Sequence, residues 1–120
     1  MSKDVFYAVV YKESEPTLCR TFETAQYIAE EHLDCVVEDL NSDLVHIEWL
    51  IARKEREASL RYELSGHLNG LAESYQMKKI NEIERHLGML RQELSDVIIE
   101  FHELLDNPKA ECYITKLVKK

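Results

Sequence analysis

Hydrophobic positions along the chain change period several times, and each change marks an element. VFYAVVY, residues 5–11, is apolar on both faces and rich in β-branched and aromatic residues, which predicts a central strand. KESEP follows as a polar turn, and TLCRTF, residues 17–22, reads as the return strand of a hairpin. Thr24 is the expected N-cap of a helix carrying Ala25, Ile28, Ala29, Leu33, Val36, Val37 and Leu40 on one face. Asn41-Ser42-Asp43 either ends that helix and caps the next or is run through. Leu44, Ile47 and Ile51 extend the three-four spacing, and Leu60, Leu64, Leu68, Leu71 and Tyr75 resume it in a shifted register.

The most regular segment follows. Apolar residues fall at 80, 83, 87, 90, 94, 97, 101 and 104, a heptad seam that has to pack against something. SGHLNG, residues 65–70, holds two of the three glycines and is the expected tip of a helical hairpin. Asn107 and Pro108 stop the second helix near Asp106. ECYITKLV, residues 111–118, reads as a third strand. The pattern predicts an α+β fold: a three-stranded antiparallel sheet, a packing helix and a long antiparallel α-hairpin like a coiled-coil arm. We expect residues 1–120 to form a single domain, with sheet and packing helix from 1–41 and 107–120 and the arm from 42–106.

Two details bear on what the seam meets. Val97 to Leu105 is widened by Ile98, Ile99 and Leu105, as suits a core, whereas Ile80 to Leu94 is narrow, as suits a two-helix contact. Its in-chain partner is imperfect: Lys54 and Arg61 fall where apolar residues are wanted, with only Ala58 between them. Either the first helix shifts register or the outer seam is left for a second copy or another protein. Gly88, beside the seam, permits a close helix approach or is simply a surface glycine.

Composition narrows the function. The chain has 120 residues, 45% hydrophobic and 32% charged, with a formal net charge of −8. Residues 1–41 carry three bases against nine acids, which disfavours gripping a phosphate backbone. Only a short basic tail (Lys109, Lys116, Lys119, Lys120) and Lys78-Lys79 support a nucleic-acid-associated regulator, the alternative reading. No apolar run reaches a membrane span, the start lacks a signal-peptide pattern, and three cysteines suit reduced thiols in the cytoplasm.

Candidate chemistry is sparse. His32 and Cys35, with Cys19 and Cys112 on strands that could converge nearby, form a loose zinc-like set without a paired CxxC. Glu63/His67 and Glu82/His86 read as helix-surface pairs. With no phosphate loop, nucleophile elbow or ExxH pair, we expect no enzyme, no catalytic residues, no cofactor and no metal. Acids at 30, 31, 34, 38 and 39 form a solvated helix face or mimic phosphates on a basic partner.

Trp49 lies opposite Ile47 and Ile51 on the helical period, beside Arg53 and Arg56. It is either buried between sheet and arm or exposed as a binding hot spot. The candidate partner interface therefore comprises Ile80, Ile83, Leu87, Leu90 and Leu94 of the seam together with Trp49, Arg53 and Arg56.

FYAVVYK, FETAQYIAEEH and the closing CYITKLVKK resemble, in texture, the small acidic accessory proteins of tailed bacteriophages. That resemblance covers the chain ends and implies a phage-type inhibitor that binds and blocks a host defence or regulatory protein. The expected partners are thus a host protein and further copies of the chain, as a homodimer or higher oligomer.

Overall fold

A computed structural model describes residues 4–119. The elements are β1 (Asp4–Tyr11), β2 (Thr17–Cys19), α1 (Phe22–Ser65), α2 (Leu71–Asp106), a 3-10 turn (Pro108–Ala110) and β3 (Cys112–Lys119). The three strands form an antiparallel sheet ordered β2-β1-β3, so the all-apolar strand is central, as its composition predicts. Two long helices pack as a hairpin, which makes the fold α+β. The chain divides into two compact units: Met1–Asn41 with Ile99–Lys120, and Ser42–Ile98. Lys120 of the basic tail lies outside the described residues.

In the sheet unit, Tyr7, Val9 and Tyr11 of β1 point to the face covered by α1. There Val9, Cys19, Ala25, Ala29 and Cys112 are buried, with Ile28, Leu33 and Ile114 packed around them. Small residues at 25 and 29 let the helix lie close to the strands. His32 Nε2 meets Glu111 Oε1 at 3.1 Å, and its ring lies 4.7 Å from that of Tyr11, tying α1 to the start of β3. The opposite face carries Leu18, Tyr113 and Leu117, all exposed.

The helix starts differ from expectation. α1 begins at Phe22, and the N-cap is Thr21, whose Oγ1 accepts the Thr24 N–H at 3.2 Å. Thr24 is already helical, and its hydroxyl shares a hydrogen bond with that of Thr21 at 2.8 Å. Asn41-Ser42-Asp43 is run through. Leu40, Leu44 and Ile47 keep their spacing across it, and three mediocre helix formers cost only about 2 kcal/mol together.

In the hairpin unit α1 ends at Ser65 and α2 starts at Leu71, so the turn occupies residues 66–70. Gly70 takes φ +65°, a left-handed conformation that a β-carbon disfavours, and its carbonyl accepts the Ser74 N–H at 3.0 Å. At the other end, Asn107 is followed by Pro108 and a single 3-10 turn that leads into β3.

The widened end of the seam is less buried than its composition suggests. Leu104 is covered and Val97 and Phe101 are half-buried, but Ile98, Ile99 and Leu105 stay 41%, 53% and 57% exposed. A helix covered along one stripe buries the seam positions and leaves their flanks at the rim.

Candidate protein-interaction surface

The seam comes first, because its occupancy decides which surfaces are free. Ile80, Ile83, Leu87 and Leu90 are all buried, and Leu94 is half-buried. Ile83 and Leu87 pack with Ala58, and Ile51 lies against the same cluster. The outer seam is thus filled in cis by α1. In this chain these five side chains face inward rather than out.

One awkward position in α1, Arg61, is accommodated by polar pairing. Arg61 Nη1 donates to Gln76 Oε1 at 2.8 Å, and its Nη2 lies 4.0 Å from Glu57 Oε1. Lys79 pairs with Glu82 at 3.6 Å, and Arg91 with Glu55 at 3.3 Å. Lys54, Glu57, Arg61, Lys79 and Glu82 line a cavity of about 360 Å³ between the two helices. One atom in this layer, Arg61 Nε, is buried without a hydrogen-bond partner. Ala58 sits between Lys54 and Arg61, where a small side chain admits Ile83 and Leu87.

With the inner face spoken for, the outer face of α1 stands clear. Val45, Trp49 and Leu60 are 69%, 56% and 56% exposed, and Arg53 and Arg56 are exposed with them. At 3.6 residues per turn, Val45, Trp49, Arg56 and Leu60 fall within about 60° of one another, opposite Ile47 and Ile51. Trp49 is held by its neighbours on the helix: His46 stacks on it with ring centroids 6.4 Å apart and planes 17° from parallel. The Arg53 guanidinium lies 5.6 Å from the indole centroid, a cation–π contact. The indole thus has a side-chain neighbour about one turn away in each direction along the helix.

Of the eight interface residues read from the sequence, Trp49, Arg53 and Arg56 therefore share one exposed surface. Ile80, Ile83, Leu87, Leu90 and Leu94 do not join it. Val45, which the helical period already sets beside Trp49, and Leu60, about three turns beyond it, complete the exposed stripe with His46.

The thiol–imidazole set does not converge. Cys19 lies opposite Tyr7 and Cys112 is opposite Tyr11, on different sides of β1, while Cys35 is exposed and His32 is engaged by Glu111. Burial, followed by the neighbouring Glu111 carboxylate, raises the Cys112 thiol above its ordinary value. Among the described residues no group of three or more His, Cys, Asp or Glu is placed to hold a metal ion. His67 lies beyond the end of α1, so Glu63 and His67 are not a helical pair. Glu82 and His86 both line the polar layer, where Glu82 is taken by Lys79. Glu30, Glu31, Asp34, Glu38 and Asp39 are exposed. Among the described residues no helix is long and apolar enough to cross a membrane.

No protein-family model matches this chain, and no curated protein and no solved structure is significantly similar to it.

Proposed function

We propose that this chain is a non-enzymatic protein–protein interaction module that works by occupying a surface of another protein. The observation that carries the reading is the Trp49 cluster: a half-exposed indole, flanked by His46 and Arg53 on the outer face of a helix whose inner face is already filled. Trp and Arg are the side chains that most often dominate binding energy, because each couples a large apolar area to a directional polar group. An indole has only two side-chain torsions to fix, so it loses little rotamer freedom on binding. The complementary surface would offer an apolar slot for the indole and carboxylates for Arg53 and Arg56.

Within this proposal the protein acts as a phage-type inhibitor of a host defence or regulatory protein, in the cytoplasm, where three unpaired thiols stay reduced. Support for the inhibitor role is the resemblance of the chain ends together with the exposed Trp49 surface.

The test compares the wild-type chain with a W49A/R53A variant as bait in host lysate. Proteins held by the wild type should be depleted at least tenfold from the variant, while the circular dichroism and melting temperature of the two match. Identical captured sets would refute the α1 surface as the binding site. Salt-sensitive retention on DNA, unaltered in the variant, would instead favour the nucleic-acid reading.

A further inference from the structure

The two edges of the sheet are treated differently. β2 is three residues long and follows Pro16, which makes it a poor template for another strand. β3 runs for eight residues without a proline, and among the described residues no strand lies beyond it. Its unpaired groups can be identified. The Lys12 N–H donates to the Glu111 carbonyl at 2.9 Å, so this pair turns its backbone groups toward one another. In an antiparallel ladder such pairs alternate with pairs that turn theirs away. The β1–β3 register then points the N–H and C=O of Cys112, Ile114, Lys116 and Val118 out of the open edge.

We propose that β3 pairs antiparallel with β3 of a second copy of this chain, about a two-fold axis at Thr115, to form a continuous six-stranded sheet. Only registers that match outward-pointing residues with one another can form the ladder. Of these, the axis at Thr115 overlaps residues 112–118 of both chains and satisfies about eight backbone hydrogen bonds. It sets Ile114 against Lys116, Cys112 against Val118 and Tyr113 against Leu117. Moving the axis to Lys116 would stack that residue on its own copy, and moving it to Ile114 would shorten the overlap.

Charge and shape favour the same occupant. Lys116 lies opposite Tyr7, on the helix-covered face, and is exposed. On that face, beside the open edge, Phe22, Ala29 and Leu33 of α1 and Ile114 of β3 line a groove of about 510 Å³ whose charged wall residues are Glu30 and Lys109. A second β3 in the proposed register puts its Lys116 next to Ile114 and toward Glu30, and the two-fold repeats that ion pair. Tyr113, Leu117 and Val118, now 47%, 44% and 48% exposed, gain cross-strand partners. The assembly uses the sheet unit alone, so it stands or falls apart from the Trp49 surface.

Sedimentation of the full chain across about 1–100 µM tests it. The wild type should run as a reversible dimer. K116P removes an outward N–H without breaking the β1 ladder, and should raise the dimer Kd at least tenfold with unchanged circular dichroism. K116E and E30K, each of which sets like charges together, should weaken the dimer about tenfold singly. Combined, they should restore it. The swap also decides the matter if K116P fails to fold. A wild type that stays monomeric at about 100 µM overturns the proposal, including the case of an edge that accepts only a foreign strand. So does a dimer indifferent to the charge swap.

Discussion

Truncation of Leu87 to Ala puts a number on the filled seam. Leu87 is 4% exposed and packs with Ala58, Ile83 and Ile51. The substitution removes three carbons, worth about 2.4 kcal/mol of transfer free energy at about 0.8 kcal/mol each. A residual cavity adds up to about 1 kcal/mol, because two continuous helices collapse only partly around it, while the better helix propensity of Ala returns a few tenths. The expected loss is about 3 kcal/mol. With a urea m-value of about 1.5 kcal/mol/M, the unfolding midpoint should drop by about 2 M. Leu71→Ala is the matched control: it removes the same atoms from a residue that is 91% exposed, and should shift stability by less than about 0.5 kcal/mol. A Leu87→Ala effect below about 1 kcal/mol would refute the cis packing. So would a difference between variant and wild type that changes with protein concentration, since the seam would then be closed by a second chain.

Gly88 has open space where a β-carbon would go and does not have a positive φ, so Gly88→Ala should raise the urea midpoint, by about 0.5–1 kcal/mol of stability. That gain would mark it as a tolerated surface glycine; a loss would reveal a close helix approach. Among the thiols, Cys35 is exposed and should be alkylated first, with Cys112, buried and raised in pKa, reacting only as the protein opens. Because the folded-state Cys112 pKa lies above the unfolded one, its share of stability is complete below the ordinary thiol value. That share is lost as pH climbs through the raised one. Alkaline titration of Cys112→Ala, compared with wild type in chemical denaturation, should show a shallower decline above the ordinary thiol value.

Much of the architecture was legible because local signals agreed with one another. A β-branched run, a glycine-bearing turn at 66–70 and Asn107-Pro108 each mark an element end by steric and hydrogen-bonding constraints that tertiary contacts did not override. The cap was misplaced because Thr21 and Thr24 offer the same hydroxyl, and only the position of the first helical turn decides which of them accepts. Residues 41–43 left the helix open to a break, and the uninterrupted spacing of Leu40, Leu44 and Ile47 outweighed their weak propensities. Lys54 and Arg61 looked like defects in an apolar seam. A single sequence does not disclose that Glu57 and Gln76 supply partners for Arg61, or that Lys54 lines a polar cavity. Likewise, the helical period put Trp49 opposite the core, but whether a second layer covers it depends on tertiary placement, which periodicity does not encode. The outward groups of β3 follow only from a register, which is a property of paired strands.

The central claim, that the outer face of α1 binds another protein through Trp49, is open to one direct measurement. Trp49 is the only tryptophan in the chain, so its fluorescence reports on that surface alone. In the free protein the emission should be that of a water-exposed indole and be quenched readily by acrylamide. On adding the protein that wild type captures and W49A/R53A does not, the emission should shift to the blue and the quenching fall. Emission and quenching unchanged at saturating partner would contradict the account.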